Sequence, residues 1–138
     1  MKERLSVMLA ALWWGSLTTI GFLVVPMLFA HLPTPAQAGG MAARLFSAQT
    51  WVSTGCGVLL LMNIRSNNAY PSVKWSYIAI VLIVFALIMA LIVEFGVAPR
   101  ILTRENLRLW HTVGSALYAL QWLCTGLLLW RMTRREAH

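Results

Sequence analysis

WSYIAIVLIVFALIMALIVEFGV, residues 75–97, is the most apolar run of the chain, and Glu94 is its one acidic or basic side chain. At about 1.5 Å per residue, a helix of this length crosses a hydrocarbon core of about 30 Å. A continuous apolar stretch of this kind is a membrane-spanning helix. Ala79, Ala86 and Ala90 fall on one face and Glu94 continues their line, so its carboxylate is expected to face other helices rather than lipid.

Three further runs, 5–30, 41–64 and 108–130, complete the chain. In 138 residues, 59% are hydrophobic and 11% charged, and the mean hydropathy is +0.72. These values place the chain with membrane proteins. The net charge of +7 would suit nucleic acid only if it formed a surface patch, whereas here Lys and Arg lie between apolar runs. No nucleic-acid partner is expected. Cys56 and Cys124 lie within apolar runs without C-x-x-C spacing and read as small core residues.

The first run is the one a signal peptide would mimic, since MKER is a basic start and Ala36-Gln37-Ala38 resembles a cleavage site. Its length exceeds the roughly 7 to 15 residues of a signal core, so it is expected to be a span. Ala11, Gly15 and Thr19 repeat every fourth residue, a small-residue face expected to pack on a neighbouring helix. Pro26 loosens the last turn, HLPTPAQAGG turns towards the second run, and RSNNAYPSVK, with Asn67-Asn68 and Pro71, forms the second loop. The second run carries Ala43, Ser47, Thr50, Thr54 and Gly57 as a weakly polar stripe. The fourth places His111, Ser115, Tyr118, Trp122 and Thr125 on one face, with Gly114 and Gln121 beside it, and lipid cannot satisfy these groups, so the stripe is expected to turn inward.

Short loops between four spans predict an all-α fold, an up-down-up-down antiparallel bundle forming one domain over residues 1–138. The two termini and second loop hold Lys2, Arg4, Arg65, Lys74, Arg131, Arg134 and Arg135, while the other loops hold Arg44, Arg100, Arg104 and Arg108. This excess predicts a bacterial inner-membrane protein with both termini cytoplasmic. Trp75 and Trp130 are then expected at the inner interface and Trp110 at the outer one.

The outer end should collect His31, Arg44, Glu94, Arg100, Arg104, Arg108 and His111. Glu94, His111, Arg44, Arg100, His31, Ser115 and Tyr118 are the candidates for ligand binding or a proton relay. The bland alternative pairs Glu94 with Arg44 or a loop arginine and leaves the remaining arginines solvated. The sequence assigns no catalytic residue, cofactor or metal: a Gly-rich phosphate loop, a G-x-S-x-G elbow and H-E-x-x-H are all missing. Haem would require a second axial ligand beside His111, since His31 is in a loop and His138 is the last residue. Met27, His31 and Met41 give a slight copper signature.

Three places carry a family likeness. Trp14, Gly15, Gly21, Phe22, Pro26, Leu28-Phe29 and Leu32-Pro33 form the first, and AGGMAARLF at 38–46 the second. Pro99-Arg100 followed by Trp110-His111, Gly114-Ser115 and Leu117 forms the third. Through these the chain resembles the bacterial DUF4149-type membrane family, small four-helix proteins similar to transmembrane protein 205. The resemblance implies the fold and supplies no reaction, substrate or catalytic residue. The residues therefore suggest a non-enzymatic protein that binds or passes a small solute, ion or lipid group at its outer polar cluster. An assembly protein packing on a membrane partner or a second copy, and a haem- or copper-linked oxidoreductase, stand as alternatives. Membrane lipid is the expected surrounding partner.

Overall fold

A computed structural model describes residues 2–66 and 73–136. Its described residues form four long helices and no strand. Helix α1 runs through Lys2–Thr18, widens into a π-helical turn at Thr19–Val24 and continues as Val25–His31. Helix α2 is Pro35–Ser66, and α3 comprises Val73–Ile92, a second π-helical turn at Val93–Val97 and the short continuation Ala98–Leu102. Helix α4 is Leu107–Glu136. The stretches Glu3–His31, Pro35–Arg65, Trp75–Leu102 and Leu107–Arg134 are each long and apolar enough to cross a membrane. Each helix packs on its neighbours in sequence and α4 closes the ring against α1, as an up-down-up-down bundle requires. The chain is a multi-pass membrane protein.

The helix boundaries differ from the sequence expectation for identifiable reasons. Helix α2 begins at Pro35, six residues before the expected position 41, because Thr34 is an N-cap: its Oγ1 accepts from the Gln37 N–H at 3.3 Å. Proline in the first helical position needs no intrahelical N–H partner, so Thr34-Pro35-Ala36-Gln37 starts a helix rather than prolonging a turn. Helices α1 and α3 both pass through a proline instead of stopping there. Proline removes one helical N–H and crowds the carbonyl four residues earlier. In each case the preceding residue bonds five residues back, Val25 N–H to the Ile20 carbonyl and Ala98 N–H to the Val93 carbonyl. The wider turn accommodates the proline while the axis continues.

The α3–α4 connection is a Schellman turn. Glu105 N–H bonds the Arg100 carbonyl and Arg104 N–H the Ile101 carbonyl, both at 3.1 Å. Arg104 occupies the left-handed position that glycine favours, with φ 57°. The second loop, with Asn67-Asn68 and Pro71, lies outside the described residues.

The apolar core fills the half of the bundle nearest the termini. Trp13 and Leu17 of α1, Leu60 of α2, Ile83 of α3 and Leu128 of α4 are fully buried, with Cys56, Trp75, Ala79 and Met132 around them. Trp75, expected at the interface, is therefore part of the core, whereas Trp130 is half exposed beneath the Arg134 guanidinium. Cys56 is buried and Cys124 half-buried, both as free thiols. Trp14 stacks on Trp122, and Gly126 permits the contact, because a Cβ there would lie 2.7 Å from Trp14 Nε1. At the opposite end, neither the π-turn nor the last segment of α1 contributes a buried residue.

Among the described residues nothing covers the small-residue face of α1. Ala11 and Thr19 are exposed, and a Cβ added to Gly15 would meet nothing within 4 Å. Among the described residues this face has no neighbouring helix to pack on.

Candidate functional site

Glu94 lies in the π-turn of α3, half-buried within the span Trp75–Leu102. Its Oε1 accepts a hydrogen bond from Ser47 Oγ of α2 at 2.6 Å. Among the described residues no ion pair reaches this carboxylate. The expected line from Ala79 through Ala86 and Ala90 to Glu94 holds, since all three alanines are buried. The arginine partner of the bland alternative does not arrive. Arg100, six residues on, donates from Nη1 to the Gly96 carbonyl at 2.8 Å and lies over the Trp110 ring at 4.6 Å. Its guanidinium thereby fastens α3 to the start of α4. Arg44 is exposed on α2 without contact to Glu94.

The remaining candidates separate into distinct settings. His31 is exposed, and its Nδ1 donates to the Met27 carbonyl of its own helix at 3.0 Å, leaving Nε2 outward. His111 and Ser115 are exposed on α4, so the inward stripe predicted from them is corrected. The polar line of α4 rotates inward only further along, at half-buried Tyr118, then Gln121 and Thr125. Tyr118 Oη donates to the Leu17 carbonyl of α1 at 2.7 Å. Its ring occupies space left by Gly21, where a Cβ would lie 2.5 Å from Tyr118 Cε1. The expected outer cluster therefore shares one end of the bundle but does not converge on Glu94. Arg104 and Arg108 are exposed in and after the turn.

Sequence reasoning turned Gln121 inward but missed its interior partners, Gln49 and Ser53. Gln49 Nε2 donates to Ser16 Oγ at 2.9 Å and to Ser53 Oγ at 3.4 Å, and Gln121 Nε2 reaches Ser53 Oγ at 3.0 Å. Gln49, Ser53 and Gln121 are all buried. Three helices are thus tied by neutral amides and hydroxyls, which lipid cannot satisfy and the bundle interior can. Gln49 Oε1 and Trp13 Nε1 are buried without a hydrogen-bond partner among the described residues. The available signal was Gln49 and Ser53 at i, i+4 in an apolar run, a pair that shares one helix face. Towards the termini, Asn63 donates to Ser6 Oγ at 2.6 Å, continuing the polar pairs between α1 and α2.

Among the described residues no three His, Cys, Asp or Glu side chains converge as a metal site would require. His138 lies outside the described residues.

Comparison with known proteins gives one match. The family described as "Domain of unknown function (DUF4149)" matches residues 8–109, most of the chain, and the chain belongs to that family. No curated protein and no solved structure matches it.

Proposed function

We propose that this member of the DUF4149 family binds or passes a small cation, the proton included, at Glu94. The observation behind the reading is a half-buried carboxylate inside a membrane span whose contact is a neutral hydroxyl, Ser47, and not an arginine or lysine. Ionisable groups at such positions normally acquire a counter-charge, because the low-dielectric surroundings penalise an isolated one. Here that counter-charge is supplied by a ligand. In this reading His31, Arg44 and His111 stand at the mouth, while Arg100 and Tyr118 hold the helices around the site.

Reconstituted vesicles loaded with a pH-sensitive dye and challenged with alkali, divalent and alkylammonium cations test it. Wild-type protein should change cation or proton flux, and Glu94→Gln should abolish the change. Equal flux through both proteins would refute the reading.

A second reading is favoured by the uncovered Ala11–Gly15–Thr19 face: an accessory protein whose α1 docks on a membrane partner or a second copy. The proposed location is the bacterial inner membrane with both termini cytoplasmic, supported by the excess of Lys and Arg at the termini and second loop. The likeness to transmembrane protein 205 belongs to the same proposal and rests on the Trp-Gly, Pro-Arg and Trp-His motifs. Reporter fusions at both termini test the topology.

A further inference from the structure

On the outer surface of α3, away from the Ser47 contact, Ile88, Leu91, Ile92, Phe95 and Gly96 line a shallow groove of about 450 Å³. Its walls are apolar, with Phe95 66% exposed, and the groove runs along a helix that spans the membrane. Its upper end is cationic. A Cβ built on Gly96 would lie 3.7 Å from Ile92 Cγ2 and 4.0 Å from Arg100 Nη1, so the guanidinium lies beside Gly96, the last groove residue. Arg100 is exposed, is held in place by the Gly96 carbonyl and the Trp110 ring, and has no acidic partner among the described residues. A guanidinium has five N–H donors, and the Gly96 carbonyl takes one of them.

An apolar groove in a membrane-facing surface that ends beside a fixed, unpaired arginine matches the two parts of an anionic phospholipid. We propose that the groove seats one acyl chain of such a lipid while Arg100 holds its phosphate. A hydrocarbon chain suits walls that carry no polar side chain. The phosphate explains why the cation is fixed at this end: guanidinium pairs with phosphate through parallel hydrogen bonds. This site is separate from the Glu94 carboxylate and stands or falls independently of cation binding there.

Native mass spectrometry of protein released from mild detergent, with phosphatidylglycerol and phosphatidylcholine of identical chains competing, tests the proposal. Wild-type protein should retain phosphatidylglycerol preferentially. Arg100→Gln should lower the preference about fivefold, the effect of one basic residue near an anionic headgroup. Leu91→Trp, which fills the groove and leaves the α3–α4 turn intact, should lower retention of phosphatidylglycerol with Arg100 still present. Arg104→Gln, removing an exposed cation of the same turn, should keep the wild-type preference, and glycerol phosphate should not displace the lipid. Wild-type preference in both Arg100→Gln and Leu91→Trp would overturn the proposal. So would an equal loss in Arg104→Gln, or displacement by glycerol phosphate.

Discussion

Tyr118 Oη donates to the Leu17 carbonyl at 2.7 Å, joining residues on α4 and α1 that lie far apart in sequence. The contact closes the ring of helices just below the level at which α1 widens. It is possible because Gly21 leaves the tyrosine ring its space. Loss of the hydroxyl in Tyr118→Phe should cost about 0.5 to 1.5 kcal/mol, the net worth of a hydrogen bond. Gly21→Ala should cost more, about 1 to 3 kcal/mol, because the ring must move. Unfolding in mixed micelles should rank wild type, Tyr118→Phe and Gly21→Ala in falling order of stability. A Gly21→Ala protein as stable as wild type would contradict the packing.

Ser53 accepts from both buried amides, Gln49 and Gln121. Ser53→Ala removes a shared acceptor and should cost about 1 kcal/mol, since it deletes the interhelical bond from Gln121 and the longer bond from Gln49 within α2. Ser16→Ala removes the single interhelical bond from Gln49 and should cost less, about 0.6 kcal/mol. The ratio between the two variants, read from the same unfolding measurement, is the informative quantity.

Arg104 adopts a positive φ at the Schellman position, where a side chain carries a conformational cost of about 1 kcal/mol. Arg104→Gly should therefore leave the protein as stable as wild type or raise stability by up to about 1 kcal/mol, although glycine is usually destabilising near helices. Thr34→Ala, which removes the cap of α2, should lower stability by about 1 kcal/mol. Thermal unfolding of these two variants checks both turns.

What the sequence made legible was the number of helices, their order and the inward placement of Glu94. Each follows from apolar run length or from residues spaced along one helix face. The course of the backbone at Pro26 and Pro99 was not legible, because proline stops many helices and only the i−5 bonds of Val25 and Ala98 show that the axis continues here. His111 illustrates a second limit. Four-residue spacing puts it on the same face as Ser115 and Tyr118, but spacing alone does not say where along α4 that face meets another helix. The fate of Arg100 was hidden for a related reason. The bland alternative offered Glu94 either Arg44 or a loop arginine, whereas the Gly96 carbonyl and Trp110 gave Arg100 nearer contacts on the outside of the bundle. Gln49 was hidden among apolar neighbours of α2, although an uncharged amide in a span is itself a sign of an interior partner.

The central claim is that the Glu94 carboxylate, held by Ser47, is the group that meets a cation. Infrared difference spectroscopy tests it most directly, comparing the protein before and after addition of a cation that supports flux, with Glu94→Gln as reference. A shift in the carboxylate stretching bands in wild-type protein that is absent in Glu94→Gln is the predicted result. Identical difference spectra from the two proteins would contradict the account.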